Sequence, residues 1–189
     1  MKYSFKEALF FSEGKEVAVK NEFGLCVGYL ARGHGDIKEE FIELRKDSFY
    51  VFLDVEKAPI MSIAVKKRGI KNLQGYAYEI YDYKRQETIE LADVKWAIYL
   101  YFHIKGKFND VKFEAHEDWD EKIKLRKNKD IYAKIDVNQL TGKVSIEVDE
   151  IDDNSYLTEI SFITLIYCMN RIYKMESEVV SEIIDAFTD

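Results

Sequence analysis

The stretch Tyr156 to Lys174 limits the possible folds more than any other part of this chain. Placed at about 100° per residue, its apolar side chains leave no gap wider than roughly 60° around the helix axis. Only Glu159 and Asn170 make a narrow polar line. A helix that is apolar all round has to be surrounded. Leu157, Ile160, Phe162, Ile163, Leu165, Ile166, Met169 and Ile172 each gain about 1.5–3 kcal/mol on full burial. Together that rivals the roughly 5–15 kcal/mol net stability of a whole domain. The sequence therefore predicts a helix that is the core, with a sheet wrapped around it. Asn154 and Ser155 suit its N-cap, and Glu159 suits its first turn.

The wrapping is supplied upstream. Five consecutive segments alternate with a period of two. Trp96, Ile98, Leu100, Phe102 and Ile104 oppose Ala97, Tyr99, Tyr101 and His103. Val111, Phe113 and Ala115 oppose Lys112, Glu114 and His116. Trp119, Ile123 and Leu125 oppose Asp120, Lys122, Lys124 and Arg126. Ile131, Ala133, Ile135 and Val137 oppose Tyr132, Lys134 and Asp136. Val144, Ile146 and Val148 oppose Ser145 and Glu147. Such alternation marks half-buried antiparallel strands with one wet face. Lys105-Gly106-Lys107, Lys127-Asn128-Lys129-Asp130 and Thr141-Gly142 read as turns. In the first half, strands are expected at Tyr3–Phe11, Glu16–Lys20, Leu25–Ala31, Ser48–Glu56, Pro59–Lys67, Leu73–Asp82 and Glu87–Val94, while Ile37–Lys46 reads as either strand or short helix. The expected fold class is mainly β: a closed antiparallel barrel of about twelve strands around an apolar C-terminal helix. The expected domain spans residues 1–175. Residues 176–189 form a tail, with Val179, Val180, Ile183, Ile184 and Phe187 on one amphipathic stripe that suits the barrel's outside or a second copy of the chain.

Composition narrows the function classes. At 189 residues and 47% hydrophobic content the chain can bury a sizeable core. A net charge of −7 argues against nucleic acid as a partner and against anionic membranes in general. The most apolar window, Ile160–Tyr173, is 14 residues long, short for a membrane span. With no secretory signal at Met1–Lys15 and only Cys26 and Cys168, the expected compartment is the cytoplasm.

The order of elements, many one-sided strands and then one enclosed apolar helix, resembles the tubby C-terminal-like superfamily, nearest its LURP-one-related type found in plants and bacteria. Ile104-Lys105-Gly106-Lys107-Phe108, Ala133-Lys134 within Ile131–Val137, Gly142–Val148, the join Asp152–Met169 and the hairpin Val17–Val27 carry the resemblance over about Tyr3–Lys174. The resemblance implies a twelve-stranded barrel around a hydrophobic helix, no enzymatic activity and no cofactor. Eukaryotic members bind phosphoinositides through surface Lys and Arg, which implies an anionic lipid headgroup, or else a protein, as partner.

No catalytic constellation stands out in the residues themselves. His34, His103 and His116 lie far apart, and no His-x-x-x-His or Cys-x-x-Cys metal spacing occurs. His116 reads as solvated surface and His103 as a satisfied, half-buried histidine. Cys26 and Cys168 read as buried small hydrophobes. The acidic run Glu147, Asp149, Glu150, Asp152, Asp153 lacks the spaced loop of a Ca²⁺ site and reads as a solvated join before the helix. Two basic clusters remain. Lys66, Lys67, Arg68 and Lys71 are the candidate ligand-binding residues, four charges in six positions. Lys122, Lys124, Arg126, Lys127 and Lys129 share one hairpin. Both also read as charged edges that stop strands from pairing between molecules. The leading function is a non-enzymatic binding or scaffolding module. A helix-grip carrier, START-like, of a small apolar ligand is the alternative. An enzyme reading rests only on the Tyr99, Tyr101, His103 face.

Overall fold

The computed structural model describes residues 1–6, 16–32, 48–65, 77–94, 101–108, 110–149 and 155–188. The first six strands are β1 (Lys2–Lys6), β2 (Glu16–Asn21), β3 (Cys26–Arg32), β4 (Ser48–Leu53), β5 (Pro59–Val65) and β6 (Ala77–Asp82). The next six are β7 (Glu87–Asp93), β8 (His103–Phe108), β9 (Val111–Glu117), β10 (Ile123–Lys127), β11 (Asp130–Asn138) and β12 (Lys143–Val148). One helix follows, α1 (Tyr156–Thr188). Every neighbouring pair of strands is antiparallel, and β1 closes the ring on β12 through five pairs from Lys2↔Glu147 to Lys6↔Lys143. Closure removes the sheet edges. It also excludes the helix-grip arrangement, in which an open sheet holds an amphipathic helix.

Alternation places the inward side chains. Tyr78, Ile80, Ile104, Ala115, Leu125, Ile135, Val144 and Ile146 are buried from their strands, and every residue from Thr158 to Asn170 is buried from the helix. Rings interlock edge to face across the two: Phe113 with Phe162 at 4.8 Å between centroids, Phe5 with Tyr167 at 5.4 Å, and Phe102 with Tyr173 at 5.9 Å. The helix's small polar groups are satisfied locally. Ser161 Oγ donates to the Thr158 carbonyl at 2.9 Å and Thr164 Oγ1 to the Ile160 carbonyl at 2.7 Å, so both hydroxyls enter the core without an orphaned donor.

The narrow polar line of the helix meets the wall at two points. Glu159, almost wholly buried, takes the Lys127 ammonium at 2.7 Å. Three turns on, Asn170 Nδ2 donates to Glu117 Oε2 at 3.2 Å, and Lys174 pairs with Glu117 Oε1 at 2.6 Å. Lys127 ends β10 and Glu117 ends β9, at opposite ends of the barrel. These contacts pin both the rotation and the depth of the helix in its sleeve, which uniform apolar packing alone would leave loosely specified.

Several local expectations change. Lys105-Gly106-Lys107 is not a turn but the middle of β8, because Gly106 carries the inward alternation where Leu91 crosses. A Cβ at Gly106 would lie 2.5 Å from Leu91 Cδ2. Trp119 is not on an inner face; it is fully exposed on the Asp118–Lys122 hairpin. On β11, Ile131 faces solvent and Tyr132 turns partly inward, because the ladder to β10 jumps from Leu125↔Ala133 to Arg126↔Ile131 and leaves Tyr132 as the extra residue of a bulge. Residues beyond Lys174 continue α1 without a break rather than starting a separate helix. The segment Ile37–Lys46 lies outside the described residues.

Enclosure gives the first expected outcome. Ile163 is completely buried, so Ile163→Asp leaves no soluble folded protein, because an unpaired carboxylate enters the core. Gly28→Ala tests the wall: its Cβ would meet the Leu53 carbonyl oxygen at 2.5 Å and the Phe52 ring at 2.6 Å. Urea denaturation should find it destabilised by about 1–3 kcal/mol. A soluble, cooperatively melting Ile163→Asp protein would contradict the enclosed helix.

Candidate functional site

The outer wall of β7 to β10 carries an open groove of about 1670 Å³. Its origin is a short ladder. Strands β7 and β8 pair only from Leu91↔Gly106 to Asp93↔Ile104, so Glu87–Glu90 and Lys107–Phe108 part company on that side. The groove runs from Val94 and His103 down this split to three turns at one end of the barrel, where Arg85, Asp110, Asn128 and Lys129 line it. Asn128 and Lys129 form a two-residue turn with φ of 50° and 83°, the left-handed geometry a tight hairpin needs.

Strand alternation aims the lining side chains. Along β8 the outward residues are His103, Lys105 and Lys107, and on β9 they are Lys112, Glu114 and His116; cross-strand pairing sets His103 beside His116, Lys105 beside Glu114 and Lys107 beside Lys112. Arg126 stands beside Glu114 on β10, just before the bulge. Six cations, Arg85, Lys105, Lys107, Lys112, Arg126 and Lys129, face four carboxylates, Glu87, Glu90, Asp110 and Glu114. Of the four, Glu87 is engaged by Arg85 at 3.6 Å and Glu114 by His103 Nε2 at 2.6 Å. Among the described residues, Lys105, Lys107, Lys112, Arg126 and Lys129 make no ion pair, and Arg126 Nε is buried without an acceptor.

Several cations elsewhere are paired. Lys2 pairs with Glu147, Lys57 with Glu16, Lys122 with Asp120, Lys124 with Asp118, Lys127 with Glu159 and Lys174 with Glu117. Of the hairpin cluster seen in sequence, Lys122, Lys124 and Lys127 are therefore neutralised, while Arg126 and Lys129 open onto the groove. That cluster does not guard an edge either, since β10 is paired on both sides. The sequence-based site, Lys66, Lys67, Arg68 and Lys71, lies outside the described residues. Lys105, Lys107 and Lys112 were missed because Lys105-Gly106-Lys107 reads as a turn; the outward series His103, Lys105, Lys107, unbroken across Gly106, was the signal.

His103 forms part of the groove's upper wall, with His116 beside it. His103 is half-buried and satisfied by Glu114, stacked 6.2 Å from Tyr101, as its pattern implied. His116 is not solvated surface. It is half-buried 5.9 Å from His103, its Nδ1 has no partner, and burial first, then the Arg126 and His103 charges, push its pKa below the ordinary histidine value. Tyr99 lies outside the described residues, so the face invoked for an enzyme reduces to Tyr101 and His103. No group of three or more His, Cys, Asp or Glu among the described residues could hold a metal ion. Cys168 is buried, with its thiol pKa pushed up by desolvation, and half-buried Cys26 donates to the Gly28 carbonyl at 3.3 Å. Burial in apolar surroundings disfavours a thiolate at Cys168. No helix among the described residues is long and apolar enough to cross a membrane.

A closed twelve-strand barrel threaded by one apolar helix agrees with a family model, the Tubby C-terminal like domain, that matches residues 3–173. This chain belongs to the Tubby C-terminal-like family. Among solved structures, an X-ray structure of an Arabidopsis thaliana protein is similar to this tubby-like chain with a TM-score of 0.49 and 11% sequence identity, over 89% of this chain and 91% of that one. No curated protein matches the sequence.

His116 gives a pH dependence whose sign follows from its environment. The unfolded imidazole protonates near its ordinary value of about 6.5, and the folded one only at lower pH. Its contribution to stability is therefore complete above about pH 6.5 and is lost as the pH falls through the folded pKa. Thermal melts on either side of that value should show the tubby-like barrel weakening on the acid side, and His116→Gln should flatten the slope. An unchanged slope in the variant would count against this account of His116.

Proposed function

We propose that this tubby-like domain is a non-enzymatic binding or scaffolding module that takes an anionic, phosphate-bearing ligand in the β7–β10 groove. One observation carries the reading. In a protein of net charge −7, five cations gathered on one concave wall make no ion pair among the described residues. Like charges held together without counter-charges repel one another and weaken the fold. A bound anion offsets that repulsion, and phosphate supplies several acceptor oxygens to the ammonium and guanidinium donors. The alternating Lys105 and Lys107 on one strand, facing Lys112 and Arg126 on the next two, form a cradle suited to a phosphorylated lipid headgroup or a small soluble phosphate.

Calorimetry with inorganic pyrophosphate and with a multiply phosphorylated inositol headgroup tests this. Binding should be salt-sensitive, since the groove is open to solvent. At about 1 kcal/mol per cation, Lys107→Ala with Lys112→Ala should weaken it tenfold or more. A rival variant replaces Lys66, Lys67, Arg68 and Lys71 with Ala. Binding lost there and kept in the groove variant would move the site to the segment between β5 and β6. Affinity indifferent to both would leave the charge argument without support.

A further inference from the structure

Helix α1 leaves its sleeve at the end of the barrel opposite the turns that carry Arg85, Asp110 and Lys129. Lys174 pairs there with Glu117, the last residue of β9, and α1 runs on unbroken to Thr188. At about 1.5 Å per residue, the remaining turns extend roughly 20 Å past the rim along the barrel axis. A helix that leaves axially and without a break cannot turn back to lay a face on its own outer wall. Its sequence nevertheless carries an apolar stripe, Val179, Val180, Ile183, Ile184 and Phe187, with Glu178, Glu182 and Asp185 on the opposite face. Its last turn holds Asp185 and no base, against the sense of the helix dipole.

The rim itself presents what such a helix lacks. Trp119 and Leu140 stand fully exposed there, on the β9–β10 and β11–β12 turns. The two turns are neighbours because β10 pairs with β11, and Gln139 Nε2 donates to Glu121 Oε2 between them. Each is braced from within. Asp118 Oδ1 accepts the Trp119 N–H at 2.8 Å, and Asn138 Oδ1 accepts those of Leu140 and Thr141 at 3.1 and 3.0 Å. Fully exposed, neither tip rests on the helix that emerges beside it. Lys6 and Lys143 face each other across β1 and β12 at the same end, both exposed and neither in an ion pair among the described residues.

We propose that this rim and the helix beyond it form the interface of a two-fold dimer of this chain. Two copies meet end to end, with their protruding helices side by side and antiparallel, stripe against stripe and carboxylates outward. The C-terminal end of each helix then reaches the other copy's rim. There Trp119 and Leu140 extend the apolar contact, and Lys6 and Lys143 offset the acidic last turn. The same surface serves on both copies, as two-fold symmetry requires. Size calls for both parts. Five stripe side chains bury on the order of 300–600 Å² and a tryptophan about 150–250 Å² more, against about 800 Å² per partner in a standard interface. Docking the acidic face in a second copy's groove instead would leave the stripe in water. The inference stands apart from the anion-binding reading of the groove.

Sedimentation equilibrium of the full chain over a range of concentrations should find a dimer. Ile183→Glu, in the middle of the stripe, should leave a folded monomer. Trp119→Ser with Leu140→Ser should weaken association about tenfold or more, and because both side chains are exposed the circular dichroism spectrum should not change. Glu182→Gln, on the opposite face, should leave association as it is. A monomer at every concentration, or an assembly larger than two, would overturn the dimer, and so would a dimer indifferent to Ile183→Glu. Association that ignores the Trp119 and Leu140 substitutions would take the rim out of the contact and overturn the end-to-end arrangement. Loss of the dimer in Glu182→Gln would place the contact on the acidic face, which also overturns it.

Discussion

Burial of an all-round apolar helix is the constraint on which the rest of this molecule depends. Residues 158–170 have no wet face, so no open sheet satisfies them; only a closed wall does. Closure in turn abolishes sheet edges, which removes the pressure for edge-guarding charges and frees the outer surface for other uses. Enclosure explains why the inner side chains of the wall are apolar, and why the hydroxyls of Ser161 and Thr164 are satisfied by the helix's own carbonyls rather than by the wall.

Enclosure alone would permit the helix to slide and turn. Its two polar contacts, Glu159 with Lys127 and Asn170 and Lys174 with Glu117, remove that freedom at opposite ends of the barrel. The Lys127 side chain also lies 4.2 Å above the Tyr132 ring, and burial, helped by the Glu159 charge, raises that phenol's pKa well above its ordinary value. A buried carboxylate, a cation and a phenol thus share the site where the β11 bulge occurs. The bulge has a second consequence on the outside, since the register change falls at Arg126, a groove cation. Helix placement and groove shape are joined through one irregularity in one strand.

The groove itself is a place where the barrel's own pairing falls short. Strands β7 and β8 share three pairs, against six between β8 and β9 and six between β6 and β7. The gap widens toward the end that also presents Phe23, Leu25 and Val55. Elsewhere, Lys2, Lys122 and Lys124 are tied to carboxylates on a neighbouring strand or across a turn. In the groove, two of the four carboxylates, Glu114 and Glu87, are held by His103 and Arg85. The electrostatic character of this face is therefore set by what its acids are already bound to, as much as by how many bases it has.

The sequence by itself determined the fold class, because the two periodicities that define it are local. Spacing of two in Val111–Ala115 and Val144–Val148, and apolar side chains all round Tyr156–Lys174, are statements about neighbours a few residues apart. It also flagged Glu159 and Asn170 as the polar line that became the two pins. It misplaced elements wherever a distant strand intervened. Gly106 reads as a turn until Leu91 is packed over it, and Tyr132 reads as wet until the ladder slips beside Leu125. The candidate site was the least legible part. Lys122, Lys124 and Lys127 look the same in sequence as Arg126 and Lys129. Only the tertiary structure decided which of them are paired, because an ion pair depends on register across strands, and register is set by the closure of the whole barrel.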